Sequence, residues 1–540
     1  MEMSRRYFFY GSLLAGAVPS MGFGSTPSLK SAGYKSPNEK LNFASIGSGG
    51  QGASNISAAA PTENIVALCD VDDRRAAGTF ERFPNVPKFR DFRQMLDKEG
   101  KNIDAVIVAI PDHMHATAAM WAMERGKHVY VQKPLVRTVW EARQLREAAA
   151  KYKVATQMGN QGYSNEGTRQ CAEIVWNGDI GNVSEVHAWS DRPMWPQGLT
   201  EIPKEDPVPS TLDWDLWLGI AEKRPFTADG KTEPDRNGGF FYQPFNWRGF
   251  FDFGCGALGD MACHILGAPN MALHLSNRKI TSVECVKKEG PSPFMYPKAS
   301  VIRYDFAPYG NMPALKIFWY DGLKETPKIA GVPDGEWLGD PPSLQRPGGR
   351  GGPGGGRGAG AQGMPPGAPA GAARGGPGGG RMGMGMGPAG FEFRSPGRVF
   401  SMAEFEALKA SETPLRFPQP DGSLFVGDKG MLTTGTYGDV TRLIPIEKMK
   451  DYHMPPPLLT RSPGHMRDFI RACKGGDPAC SNFDVAAPFV EWMLLGVIAL
   501  RYEGKIEYDP DKMRVTNNTE ANKLLKPTFR KGWEFHAIKT

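Results

Sequence analysis

The sequence predicts two folded domains, a doubly wound α/β domain with a parallel sheet and an α+β domain with a large, mostly antiparallel sheet. Two observations lead to this prediction. From residue 41 to residue 158, apolar runs rich in Val, Ile and Ala alternate with helical patterns, as they do when helices cover both faces of a parallel sheet. Beyond residue 180 the runs become longer and alternate between apolar and polar positions, which is typical of antiparallel strands.

The individual elements follow from the same periodicities. Unbroken apolar runs predict strands over residues 41–46, 65–69, 105–110, 128–131 and 154–158, and amphipathic segments between and after them predict helices over 51–60, 72–82, 91–98, 115–125 and 138–151. In the second domain we predict a helix over 166–176, strands over 183–189, 280–286, 300–306 and 315–320, a strand-turn pattern over 423–437, and helices over 465–474 and 485–501.

These elements divide the chain into segments. We assign residues 41–162 to the first domain, 163–515 to the second domain and 516–540 to a C-terminal tail. Residues 347–390 hold 21 glycines in 44 positions. Such a tract buries too little apolar surface to offset its ordering entropy, so we predict that residues 334–391 form a disordered Gly/Pro-rich insertion.

Composition excludes several classes of protein. The 540 residues include 64 basic and 58 acidic side chains, a net charge of +6, and the glycine-rich tract contributes four arginines without any acid. Removing those four leaves +2, so we expect no nucleic-acid surface on the folded part. The seven cysteines are scattered, which excludes a disulfide scaffold and a zinc ribbon; Cys473 and Cys480 are the nearest candidates for a single bridge.

The first 40 residues read as a signal and linker. Ser4-Arg5-Arg6-Tyr7-Phe8-Phe9 precedes a weakly apolar run that ends in Ala15-Gly16-Ala17, which resembles a twin-arginine (Tat) export signal. The apolar run is far shorter than the roughly 20 residues that span a bilayer, and no later segment is long and apolar enough to do so. We therefore expect the Tat export machinery to deliver the protein to the periplasm or another extracytoplasmic location.

A glycine-rich loop follows the first predicted strand and opens a helix. Gly47-Ser48-Gly49-Gly50-Gln51-Gly52 has the pattern G-x-G-x-x-G, in which glycines allow a tight turn, close approach to a pyrophosphate and helix–strand packing. Asp70 lies 18 residues beyond Gly52, at the end of the next strand, where a carboxylate accepts hydrogen bonds from an adenosine ribose. These features predict a Rossmann domain that binds NAD. Arg74 and Arg75 leave NADP as an alternative.

Two further strands end in chemistry-bearing residues. The third strand ends in Ile110-Pro111-Asp112-His113-Met114-His115 and the fourth in Val131-Gln132-Lys133-Pro134, both at the edge where parallel sheets bind ligands. Gln132-Lys133-Pro134 resembles the Glu-Lys-Pro motif of the Gfo/Idh/MocA oxidoreductases, with glutamine in place of glutamate. In the second domain, Asp260 and His264 match that family's Asp-x-x-x-His signature and are neighbours on one helix face.

The resemblance has several implications. It implies that Lys133, Asp260 and His264 act together beside the nicotinamide, and that the protein is a homo-oligomer. The residues that it and the glycine pattern place at the cofactor are Gly47, Gly49, Gly50, Gln51, Gly52, Asp70, Pro111, His115, Gln132, Lys133 and Pro134. For His115 a role as a core or helix-capping residue is the alternative.

The chemistry of a carbinol oxidation supports these assignments. Hydride moves to the nicotinamide while a base takes the hydroxyl proton, so the site needs a group that titrates near neutrality. We assign His264 as the general base. Lys133 polarises the carbinol or shares the deprotonation with His264. Asp260 fixes the histidine tautomer or binds a second hydroxyl. Metal ligation by His113, His115 and Asp112, or by Asp260 and His264, lacks a complete ligand set, so we expect no metal.

Aromatic residues suggest the substrate class. Six of twelve tryptophans fall within residues 176–247, and flat aromatic faces beside polar groups suit sugar rings, although buried aromatics usually serve the core. We name Trp195, Asn246, Trp247 and Arg248 as substrate candidates. Asn160 and Gln161, which follow the last Rossmann strand, either enter the cleft or form a plain interdomain loop.

Together these inferences predict an exported NAD(P)-dependent oxidoreductase that acts on a sugar or other polyol. Because free nicotinamide dinucleotides are not expected outside the cytoplasm, we predict a tightly bound cofactor that is recycled within each turnover. A redox-assisted glycosidase, lyase or epimerase without net oxidation is the alternative, as the resemblance to the NAD-dependent glycosidases of family 109 and to glucose-fructose oxidoreductase suggests. A non-catalytic sugar- or dinucleotide-binding protein is the second alternative.

Overall fold

The computed structural model describes residues 39–228, 241–322, 327–340, 421–502 and 504–538. The predicted signal, apart from Glu39 and Lys40, lies outside the described residues. Most of the predicted insertion does too. Residues 337–340, which the sequence places in the insertion, are folded: Asp340 donates its amide to the carbonyl of Asp421, and Gly339 donates to Thr433 Oγ1. The folded chain therefore extends past the predicted boundary, because these hydrogen bonds attach it to the sheet.

The first domain is a parallel sheet between helices. Its elements are β1 (Asn42–Ile46), α1 (Gln51–Ala59), β2 (Asn64–Cys69), α2 (Asp73–Arg82), β3 (Lys88–Phe89), α3 (Phe92–Glu99), β4 (Ala105–Val108), α4 (His115–Met123), β5 (His128–Val131), α5 (Val139–Tyr152) and β6 (Thr156–Met158). The strand order is β3-β2-β1-β4-β5-β6, and every pair is parallel. This confirms the doubly wound sheet. The two-residue β3 was missed because it is too short to show a period.

The second domain is built on a nine-stranded sheet. Its elements are α6 (Glu166–Asn177), β7 (Val183–Ser190), α7 (Trp214–Leu218), α8 (Gly256–Ile265), α9 (Gly267–Ala272), β8 (Ile280–Glu289), β9 (Ala299–Phe306), β10 (Leu315–Asp321), β11 (Gly422–Gly427), β12 (Met431–Thr434), β13 (Arg442–Ile444), α10 (His465–Cys473), α11 (Phe483–Ala499), β14 (Lys505–Asp509) and β15 (Arg514–Val515). The order is β13-β12-β11-β7-β10-β9-β8-β14-β15. Only the β7–β10 pair is parallel, so the predicted, mostly antiparallel sheet is confirmed.

Later parts of the chain return to the first domain. Helix α10 covers one face of the parallel sheet, where the ring of Phe469 packs edge-on against Phe43 and Tyr130. In the C-terminal tail, Phe535 stacks on Trp140 of α5 at 5.4 Å between ring centroids. The first domain is thus covered in part by segments that lie more than 300 residues further along the chain. Hydrophobic periodicity does not reveal such long-range packing.

Two further expectations concern cysteines and membranes. All seven cysteines are free thiols, so the suggested bridge between Cys473 and Cys480 is not formed. Cys473 is instead buried in the apolar layer under α10. None of the helices in the described ranges combines the length and the apolar character that crossing a bilayer requires.

Candidate active site

The glycine-rich loop is closely packed at its back. A Cβ atom on Gly47 would lie 2.2 Å from the carbonyl oxygen of Ala109, and one on Gly52 would lie 2.0 Å from the carbonyl oxygen of Gly47. Gly47 also has a φ of +86°. Helix α1 begins after Gly50 without a side-chain cap, and within its first turn the Gly52 amide donates to the Gly49 carbonyl at 3.0 Å. The loop therefore fits the pyrophosphate of a dinucleotide.

Asp70 lies beside this loop, as predicted, at the end of β2. Its Oδ2 accepts hydrogen bonds from the amides of Ser48 (2.8 Å) and Gly49 (3.1 Å), and its Oδ1 accepts from the amide of Asp72 (3.0 Å). Burial raises the pKa of this carboxyl, although these hydrogen bonds oppose the shift. The carboxylate thus braces the loop itself, and the ribose contact that the sequence suggested stays a prediction.

The three predicted catalytic residues come from both domains. Lys133 follows β5, whereas Asp260 and His264 lie one turn apart on the buried helix α8. Lys133 Nζ donates to Asp260 Oδ1 at 2.8 Å and to the Asp260 carbonyl at 2.6 Å. The turn before α8 is attached to the first domain by a hydrogen bond from the His113 amide to the Phe253 carbonyl (3.1 Å). The carboxyl edge of the parallel sheet and α8 therefore share one site.

Asp260 is surrounded by cations. Besides Lys133, Arg248 Nε donates to its Oδ1 at 2.8 Å, and Arg192 Nε lies 3.8 Å from its Oδ2. Burial alone would raise the pKa of this carboxyl, but Lys133, Arg248 and Arg192 together hold it well below its usual range. Asp260 therefore remains ionised and orders three positive side chains.

His264 lies in a drier environment than a neutral-pH base requires. Its ring is buried, Tyr437 packs edge-on against it at 4.8 Å, and its Nδ1 has no hydrogen-bond partner in the described part of the chain. Burial and the charge of Lys133 lower the pKa of His264 well below its ordinary value. Two expectations are thereby corrected: the histidine does not titrate near neutrality, and Asp260 does not fix its tautomer, because the carboxylate is bound to the cations instead.

Asp112 is a titratable group that the sequence offered only as a metal ligand. It is buried just after β4, and burial raises its pKa to about 7, although Arg248 and Lys133 oppose the shift. Among the described residues no group of three metal-binding side chains comes together. The group nearest to neutral titration in this cluster is thus an aspartate, which its position in the sequence did not reveal.

Replacing Asp112 by asparagine should stabilise the protein increasingly as the pH rises from about 4 to about 7. The folded state keeps the Asp112 proton up to about pH 7, whereas the unfolded chain releases it near pH 4, so deprotonation favours unfolding across that interval. Thermal unfolding midpoints of both proteins at pH 4.5, 6 and 8 measure the effect. Asp511→Asn, at an exposed position, is the control. A difference in Tm that does not change with pH contradicts the prediction.

The remaining cofactor candidates have structural partners. The ring nitrogens of His115 lie 2.8 Å from the carbonyls of Pro134 and Ile110, as the alternative structural role expects, while its place at the cofactor stays a prediction. Gln132 Nε2 donates to Asn55 Oδ1 at 3.0 Å. Pro111 precedes the short 3₁₀ helix Asp112–Met114. Through His115, these contacts connect the loop that follows β4 to the loop that follows β5.

The tryptophans of residues 176–247 have different surroundings. Trp214 and Trp217 stack on each other at 4.7 Å within a separate apolar cluster, and Trp176 stacks on His274. Only Trp195 and Trp247 lie beside the catalytic cluster, where the Arg248 guanidinium sits 5.9 Å and 4.3 Å from their rings. Most tryptophans therefore serve the core.

Other substrate candidates lie at the rim of the parallel sheet. Asn160 Oδ1 accepts from Ser481 Oγ at 2.6 Å, while its buried Nδ2 has no partner. Gln161 begins the 3₁₀ helix Gln161–Ser164, which follows β6. Asn246 begins the 3₁₀ helix that carries Trp247 and Arg248. Sequence reasoning did not single out Tyr437, whose only signal is a Gly-flanked turn between β12 and β13.

Comparison with known proteins agrees with this geometry. Residues 41–160 match the model described as an oxidoreductase family with an NAD-binding Rossmann fold, and residues 174–290 match that family's C-terminal alpha/beta domain. These two segments match the two domain models of one oxidoreductase family, Gfo/Idh/MocA. The resemblance inferred from Gln132-Lys133-Pro134 and from Asp260 and His264 is thereby confirmed, and the first domain is an NAD-binding Rossmann domain.

Individual relatives cover only part of the chain. An inositol 2-dehydrogenase from Salmonella paratyphi B is 28% identical over 125 residues, which are 23% of this chain and 37% of that protein. The glycosyl hydrolase family 109 protein 1 of Bacteroides fragilis is 34% identical over 109 residues, 19% of this chain and 24% of that protein. The match thus spans well under half the length of these curated relatives.

One solved structure supports the two-domain fold over nearly the whole chain. It is the WlbA dehydrogenase from Bordetella pertussis, in complex with NADH and UDP-GlcNAcA. The TM-score is 0.50 at 14% identity, and the match covers 87% of this chain and 99% of that one. At this identity the likeness concerns the fold alone.

Proposed function

We propose that this Gfo/Idh/MocA protein oxidises a carbinol of a sugar or other polyol with NAD(P). The observation that carries the proposal is the Lys133–Asp260 ion pair, 2.8 Å long, which joins the carboxyl edge of the nucleotide-binding sheet to the helix that holds His264. When bound, the nicotinamide cofactor supplies the hydride acceptor. An ammonium and an imidazole beside that edge supply the polar groups that the carbinol oxygen needs.

The surroundings of each residue suggest its role in the proposed reaction. Asp260 orients the Lys133 ammonium, which donates a hydrogen bond to the carbinol oxygen and stabilises the charge that develops there. His264 is the group that we propose to accept the hydroxyl proton, because its Nδ1 has no hydrogen-bond partner among the described residues, although its lowered pKa makes it a weaker base than the sequence predicted. Buried Asp112 lies close enough to Lys133 and Arg248 to influence both electrostatically.

A tightly held cofactor is supported by a segment of the second domain, residues 210–220, which we call the strap. At one end the Asp73 amide donates to the Thr211 carbonyl and the Asp213 amide donates to the Val71 carbonyl, both at 2.9 Å, so that Asp72 and Leu212 form an antiparallel bridge. These hydrogen bonds lie directly after β2, where the adenosine half of a dinucleotide binds.

The other end of the strap is attached after β4. His113 Nε2 lies 3.1 Å from the Leu218 carbonyl, and the Ile220 amide donates to Met114 Sδ at 3.3 Å. Strands β2 and β4 are the two neighbours of β1, which leads into the glycine-rich loop. The strap therefore bridges the loops on both sides of the predicted pyrophosphate site, and we propose that one of its ends detaches before the cofactor leaves.

Replacing Asp213 by proline should speed the loss of bound nucleotide at least about tenfold, because it removes both the amide bonded to Val71 and the cap of α7. Asp213→Asn retains both groups and is the control. The nucleotide that remains after timed dialysis, measured by mass spectrometry after denaturation, reports the rate. Equal retention in Asp213→Pro and wild type would show that the strap does not hold the cofactor.

We further propose that the protein is exported and that its cofactor is recycled in place. The test purifies the protein without added nucleotide, identifies small molecules released on denaturation, and then supplies methyl glycosides and free sugars. Product formation with retained NAD, without an external electron acceptor, supports the recycled cycle. A released sugar without net NADH indicates the glycosidase or lyase alternative, in line with the similarity to the family 109 protein. Absence of any nicotinamide contradicts the proposal.

A further inference from the structure

The catalytic cluster holds more positive charge than its carboxylates balance. Lys133, Arg192 and Arg248 all face the single carboxylate of Asp260. Asp191 pairs with Arg192 and provides a second negative charge. Three cations against two carboxylates leave one positive charge in a site that is mostly closed to water, which is unfavourable unless a further anion arrives.

Below about pH 7, the neighbouring carboxyls of Asp112 and Asp421 do not supply that anion. Burial raises the pKa of Asp112 to about 7, and burial together with Asp191 raises that of Asp421 to about 7, although Arg192 opposes the latter shift. Both carboxyls are therefore largely protonated at mildly acidic pH. Tyr437, the other titratable group facing Arg192, is neutral because burial raises its pKa.

The cations also have unused donors. Arg248 uses Nε for Asp260 and Nη1 for the Phe245 carbonyl, which leaves Nη2 without a partner among the described residues. Arg192 Nε is buried and makes no hydrogen bond. The Arg248 guanidinium lies 4.3 Å from the Phe245 and Trp247 rings, which hold its plane in place. A fixed guanidinium with a free donor edge is suited to a carboxylate.

The Arg248 donor edge lies close to the Lys133 ammonium, which faces the carbinol in the proposed reaction. Arg248 Nε and Lys133 Nζ bind the same oxygen of Asp260, each at 2.8 Å, so the two nitrogens lie within twice that distance of each other. We propose that the substrate is an acidic carbohydrate whose carboxylate binds Arg248, with Arg192 nearby, while a carbinol one to three carbons away faces Lys133. This inference rests on the proposed oxidoreductase function and adds the substrate class.

Matched glycosides test the proposal. Methyl β-D-glucuronide and methyl β-D-glucoside, and the corresponding galacto pair, are titrated calorimetrically into the nucleotide-loaded protein. We expect each uronide to bind at least about tenfold more tightly than its neutral partner, and this ratio to fall with added salt. Arg248→Gln should reduce the ratio to about one, and Arg248→Lys should retain part of it. Arg146→Gln, a surface cation paired with Asp484, is the control and should keep the wild-type ratio.

The outcomes separate this inference from the function on which it rests. Equal binding of uronide and glucoside by wild type, or a preference that Arg248→Gln leaves intact, overturns the acidic-substrate proposal. If neutral sugars are nevertheless oxidised, the oxidoreductase proposal stands without it. Uronide binding that depends on Arg248 supports the inference even where no hydride transfer is detected. Circular dichroism and retained nucleotide establish that each variant is folded, and the salt dependence in wild type requires no variant.

Discussion

Replacing Lys133 by alanine should lower kcat/KM for carbinol oxidation by about 10³-fold. The ammonium is the donor that Asp260 orients toward the carboxyl edge of the parallel sheet, and buried His264 cannot replace it because its low pKa keeps the ring neutral. Initial rates of product formation by the nucleotide-loaded protein, with any glycoside that the wild type turns over, measure the loss.

The matched control for this prediction is Lys151→Ala. Lys151 lies in the last turn of α5, on the surface, and its removal should change the rate by less than about twofold. Turnover by Lys133→Ala that approaches the wild-type rate would exclude this lysine from the reaction. Far-UV spectra of both variants establish that folding is not the cause of any difference.

Asp260→Asn should destabilise the protein by about 3–5 kcal/mol at neutral pH, because it leaves buried Lys133, Arg248 and Arg192 without their shared carboxylate. The folded pKa of Asp260 is depressed, so the stability it contributes is present above the unfolded value near 4 and is lost as the pH falls further. Denaturant unfolding at pH 7 and at pH 3 should therefore show a smaller difference from wild type at the lower pH.

Asp97→Asn provides the comparison for that measurement. Asp97 forms an exposed ion pair with Arg125, and its neutralisation should cost less than about 1 kcal/mol. If Asp260→Asn were as stable as wild type at pH 7, then Lys133, Arg192 and Arg248 would be neutralised by other residues or hydrated by water. The inferred excess of positive charge at the site would then be wrong.

Local patterns in the sequence determined much of what the structure shows. The G-x-G-x-x-G loop, the strand ends at Asp70 and Lys133, and the one-turn spacing of Asp260 and His264 each depend on neighbouring residues, and each lies in the predicted element. Both sheets could be predicted because their strands carry different hydrophobic periods. Backbone geometry at short range is set by local side chains, which is why these predictions succeed.

Other properties depended on distant parts of the chain. The neutral state of His264, the raised pKa of Asp112 and the surplus of cations around Asp260 arise from burial and from charges contributed by separate loops. The strap meets residues 71–73 and 113–114 only after the chain has folded back over the parallel sheet. The sequence by itself determined the fold class and the nucleotide loop, and it supplied the side chains that we propose as catalytic. The tertiary structure decided their charge states and partners, because electrostatic energies depend on distance in space and on exclusion of water, neither of which is encoded in the local pattern of residues.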